Sequence, residues 1–82
     1  MTWTVEYTDT FAGEANYGWV RRAKIGNEWG MQPTRRMLVG RAKKLLGLNG
    51  VPCKVEDLGD TIILHPQGQC TVVYITEDEH NG

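Results

Sequence analysis

The sequence predicts an α+β two-layer sandwich of order β-β-α-β-β-β, with one helix packed on a mainly antiparallel sheet of four to five strands. Three observations carry this. Polar and apolar residues alternate through "TWTVEYT" and "YGWVRRAKI". One segment, "TRRMLVGRAKKLLG", has helical periodicity and capping residues at both ends. Two apolar runs, "TIILH" and "CTVVYIT", follow it and are divided by the turn "PQGQ". A chain of 82 residues is too short to divide its apolar residues between two cores, so residues 1–82 form a single domain.

In the first strand Trp3, Val5 and Tyr7 share one face and Thr2, Thr4, Glu6 and Thr8 the other, the period of a half-buried strand. "DTFAGEANYG" then reads as a loop longer than a minimal hairpin turn, because it holds two glycines, an Asn and an Asp. Alternation resumes with Tyr17, Trp19, Ala23 and Ile25 on one face and Val20, Arg22 and Lys24 on the other. Arg21 falls on the apolar side. Either a bulge shifts the register there, or Arg21 lies at the sheet margin with its head in water.

"GNEWGMQP" ends the second strand, and the helix begins near Thr34, a candidate N-cap after Pro33. At about 100° per residue, Leu38, Val39, Ala42, Leu45 and Leu46 form the apolar stripe. Arg36, Gly40, Lys43 and Lys44 lie opposite, and Arg41 flanks the stripe. Gly47 suits a left-handed cap, with Leu48 as the hydrophobic contact of a Schellman stop. Lys43 and Lys44 complement the negative end of the helix dipole; Arg35 and Arg36, at its positive end, do not. "VPCKVE" gives a third strand whose Pro52 marks an edge or a strand start. The two apolar runs that follow suit strands placed centrally or covered on both faces. A frayed acidic tail is expected at 77–82. The order β-β-α-β-β also resembles the β-grasp arrangement of ubiquitin-like domains. One helix covers one face of the sheet, which leaves the second for a homodimer or a protein partner.

The net charge of −1 conceals a polarity. Residues 21–44 carry Arg21, Arg22, Lys24, Arg35, Arg36, Arg41, Lys43 and Lys44 against Glu28 alone, a net +7. From residue 55 onward six acidic residues meet no Lys or Arg. The candidate binding surface is therefore Arg22, Lys24, Arg35, Arg36, Arg41, Lys43 and Lys44. It suits an acidic protein partner, or the phosphates of a nucleic acid. The pI near 6.1 is low for a nucleic-acid module, so the protein partner is the leading expectation.

Nothing in the residues asks for an enzyme or a cofactor. Cys53 and Cys70 lack a glycine elbow or an oriented base and read as small core residues. Cys53, His65, Cys70 and His80 are nominally a zinc set, but their gaps are far wider than paired metal ligands usually show. "EDLGD" shapes a turn, and "GLNG" follows the helix where a phosphate loop would precede one. No apolar run is long enough to span a membrane, and the N-terminus lacks the features of a signal peptide. Two cysteines are too few for a secreted disulfide framework, so the expected location is the cytoplasm.

"TWTVEYTDTFAGEANYGWVRRA" together with "RAKKLLGLNGVPCKVEDLGDTIILHP" resembles small uncharacterised proteins encoded by bacteriophages and prophages. In these a "TYTDTF.GE.NY.WVRR"-like segment precedes a basic helix ending "LGL.GV.C". The resemblance covers most of the chain and implies a binding protein: an inhibitor of a host defence complex, a transcription modulator or a small accessory factor. It brings no catalytic residue with it.

Overall fold

The computed structural model describes residues 2–78. Its elements are β1 (Trp3–Phe11), β2 (Glu14–Ile25), α1 (Arg35–Leu46), β3 (Cys53–Asp57), β4 (Thr61–Pro66) and β5 (Thr71–Glu77). The strands form one five-stranded sheet in the order β2-β1-β5-β4-β3, and every neighbouring pair is antiparallel. The element order and two-layer architecture are those the sequence predicts. The β-grasp likeness fails on connectivity, since that arrangement sets its first and last strands parallel and here β1 and β5 run antiparallel.

The apolar runs lie in β4 and β5, inside the sheet, and the Pro52-led β3 is an edge. Strand alternation puts Trp3, Val5, Tyr7, Ile25, Ile62, Leu64, Val73 and Ile75 on one face, where they meet Leu38, Ala42, Leu46 and Leu48 in a single core. Trp29, in the β2–α1 loop, packs edge-on against Trp3 with ring centroids 6.3 Å apart. This ties the loop to the core. Thr34 caps the helix by accepting from the Met37 amide at 3.2 Å. Gly47 ends it at φ 72°. Its N–H donates to the Lys44 carbonyl while that of Leu48 donates to Lys43, the paired bonds of a Schellman stop.

The segment 9–18 departs from expectation. It is not a loop: β1 runs to Phe11, β2 begins at Glu14, and the turn is only Ala12 and Gly13, both at positive φ, as tight hairpin turns require. The irregularity lies further in. Register passes from Thr8↔Val20 to Thr10↔Ala15, so β2 carries residues 16–19 opposite Asp9 alone, a bulge larger than the usual two against one. Side chains replace the missing ladder bonds. The buried Thr8 hydroxyl donates to the Trp19 carbonyl (2.9 Å) and accepts from the Tyr17 amide (3.1 Å). The Asp9 carboxylate accepts from the Gly18 amide (2.8 Å) and Asn16 Nδ2 (3.0 Å). Arg21 keeps regular register with Tyr7 and is exposed on the edge strand β2. The sheet margin, not the bulge, accounts for it.

The second sheet face is less bare than expected. Gly13, Glu14 and Ala15 of the hairpin come up beside Ile63, Val72 and Tyr74, leaving a cleft of about 310 Å³. Val72 is thereby buried and Tyr74 half-buried. Burial, with Tyr17 and Glu6 nearby, pushes the Tyr74 hydroxyl above its ordinary pKa. The expected acidic tail also starts later than expected, because Glu77 belongs to β5. Asp78 is held by the Thr2 and Thr4 hydroxyls at 2.7 and 2.6 Å. Residues 79–82 lie outside the described residues.

Candidate functional site

The helix presents its basic residues on the side away from the sheet. Burial of Leu38, Ala42 and Leu46 sets the rotation of α1, and Arg36, Gly40 and Lys44, at four-residue spacing, then form one outward ridge. Lys43 stands beside Arg36, two turns on. A Cβ added at Gly40 would meet nothing within 4 Å, so the middle of the ridge is open backbone. Beside the ridge runs a shallow cleft of about 360 Å³, bounded by Trp29, Glu28 and Arg41.

The seven basic residues singled out from the sequence separate by partner. Arg22 is paired with Glu6 at 2.9 Å, and Lys24 with Asp78 at 2.8 Å and the Thr4 hydroxyl at 2.7 Å. Arg41 is paired with Glu28 at 2.8 Å, and Arg35 donates to the Asp57 carboxylate. For Arg36, Lys43 and Lys44 no carboxylate lies within ion-pair reach among the described residues. Location divides them further. Arg22 and Lys24 alternate with Ala23 and Ile25 and so point to the sheet face opposite α1. They do not extend the helical surface. The continuous basic site is Arg36, Lys43 and Lys44, flanked by the neutralised Arg41.

The ion pairs also set the electrostatics. The Lys24 ammonium, with the Thr4 and Thr2 hydroxyls, holds Asp78 far below the usual carboxylate range. The Gly59 amide and the Arg35 guanidinium lower Asp57. Asn16, with the Gly18 and Trp19 amides and the Thr8 hydroxyl, lowers Asp9. Each of these carboxylates is spent on a contact within the chain. The partner of Arg35 lies 22 residues away on another element, outside what helical periodicity can show.

The Cys and His residues are dispersed. Cys53 pairs with Pro66 in register and packs against the core on the helix side. His65, the neighbour of Pro66, therefore faces the other way and bonds Glu56 at 2.8 Å. Cys70 is exposed, and both thiols are free. His80 lies outside the described residues. Among the described residues no three His, Cys, Asp or Glu side chains converge on one point, and no helix is long and apolar enough to cross a membrane. Compared with protein-family models, curated protein sequences and solved structures, the chain finds no match.

Proposed function

We propose that the chain is a non-catalytic binding protein, of the phage-encoded accessory kind its sequence resembles, that engages an acidic surface of a protein partner through the outer face of α1. The observation behind this reading is the division among its cations. Arg22, Lys24, Arg35 and Arg41 are occupied within the fold, whereas the exposed Arg36 and Lys44 and the half-buried Lys43 share the outer side of α1 without a carboxylate in reach among the described residues. Unpaired cations on a rigid element favour encounter with an opposite surface and discriminate against like-charged ones. An acidic face of a host defence complex or of a transcription complex would be a target of this class.

Capture from nuclease-treated bacterial lysate tests the reading. The wild-type chain is expected to retain a partner protein that an Arg36→Glu, Lys43→Glu, Lys44→Glu variant loses. Equal retention by both would refute it. Direct nucleic-acid binding is the second reading, and open backbone at Gly40 favours it because a phosphate chain can approach closely there. Under that reading a gel shift at low salt is retained and falls steeply as salt rises, since each neutralised phosphate releases counterions. No shift at low salt would remove it.

A further inference from the structure

The edges of the sheet are β2 and β3, and they are not equivalent. In an antiparallel pair, alternate residues exchange both backbone bonds with the neighbour and those between turn theirs outward. The Gln67 amide donates to the Pro52 carbonyl at 2.9 Å, and the Leu58 amide to Thr61 at 2.8 Å. Stepping by two between these ends, Lys54 and Glu56 bond to β4. The N–H and C=O groups of Cys53, Val55 and Asp57 then point away from the sheet.

We propose that β3 is a self-association edge, through which two copies pair antiparallel about a two-fold axis at Val55. Laid against itself in that register, "CKVED" matches its outward backbone groups and its flanking charges. Val55 meets Val55, the outward groups of Cys53 meet those of Asp57, and Lys54 of one copy stands opposite Glu56 of the other. Lys54 has no acidic partner of its own among the described residues, and opposite charges directly across a strand pair are favourable. The side chains that pairing would cover are already out of place in water: Val55 is 43% and Leu58 61% exposed. α1 leaves this edge open, with a groove of about 390 Å³ lined by Val39 and Val55 and by Arg35 and Arg36. The contact is isologous, so it closes on two copies and does not propagate.

The other edge is guarded. The Asp78 amide donates to the Thr2 carbonyl, so even-numbered β1 residues bond β5 and odd-numbered ones bond β2. By the same alternation Val20, Arg22 and Lys24 turn their backbone groups outward. Self-pairing about Arg22 would set that residue against its own copy with Arg21 and Lys24 close by, and such a charged edge strand is a common natural protection.

Sedimentation over a concentration series tests the proposal, using wild type, Lys54→Glu, Glu56→Lys and an equimolar mixture of the two variants. Wild type is expected to dimerise, each variant alone to weaken dimerisation roughly tenfold or more by setting like charges across the strands, and the mixture to recover it. A wild-type chain monomeric to its solubility limit overturns the proposal. So does a dimer that both variants leave intact, or a mixture of folded variants that stays monomeric.

Discussion

Thr8 and Asp9, adjacent in the chain, hold the irregular half of the first hairpin by opposite chemistry. The Thr8 hydroxyl, fully buried, donates to one backbone group of the bulge and accepts from another. Replacing Thr8 by Val keeps the shape but leaves the Tyr17 N–H and the Trp19 carbonyl without that partner. A loss of about 1–3 kcal/mol is expected, read as a lower urea midpoint with unchanged m. Gly18 is required for a different reason: a Cβ there would stand 2.9 Å from Asp9 Oδ2 and 3.2 Å from Asn16 Nδ2. Gly18→Ala is expected to lower the melting temperature, and to lower it much less in an Asp9→Ala background, because the clash and the bond it breaks share one carboxylate. Additive losses would show that the strain lies elsewhere. None of this was legible in "DTFAGEANYG", whose polar and glycine content looks like a loop. Its hydrogen bonds are made by side chains, and hydrophobic periodicity is blind to them. Arg35 and Arg36 likewise look alike on a helical projection, and only the return of Asp57 on β3 separates them.

Elements were more readable than residues. The helix was bounded by Thr34 and Gly47, as expected, because its caps are local chemistry written within a few positions. Gly47→Ala tests the stop directly: forcing a Cβ into φ 72° is expected to cost about 1 kcal/mol, seen as a lower calorimetric melting temperature. An unchanged one would mean the helix ends by other means. β4 and β5 were recognisable as interior strands from their apolar runs. What periodicity could not supply was the bend of the β1–β2 hairpin, which brings Ala15 toward Val72 and Tyr74 and covers part of the face that seemed to need a partner. The basic character of residues 21–44 was plain from sequence, but a strand's alternation sends Arg22 and Lys24 to the far side of the sheet from α1. One charged segment thus became two separate surfaces.

Across the whole molecule, two acidic residues of the C-terminal half, Asp57 and Asp78, serve the basic half. Asp57 and Asp78 bind Arg35 and Lys24, and with Asp9 they have carboxyl groups held below the ordinary aspartate value of 3.8. The consequence for stability has a definite sign. These groups stay ionised in the folded chain where the unfolded chain has begun to take up protons, so their stabilisation is complete above 3.8 and is lost as pH falls below it. Urea midpoints should decline as the medium is acidified through that value, and Asp78→Asn should flatten the decline; an identical slope in the variant would assign the acid sensitivity to other groups.

The central claim is that Arg36, Lys43 and Lys44, the helix cations without a carboxylate in reach among the described residues, form the binding surface. Its most direct test is partner retention by two neutralised variants compared side by side, Arg36→Gln, Lys43→Gln, Lys44→Gln against Arg22→Gln, Lys24→Gln. The account predicts that the first loses the partner captured by wild type while the second, altered on the opposite face, keeps it. Loss in the second with retention in the first would contradict it.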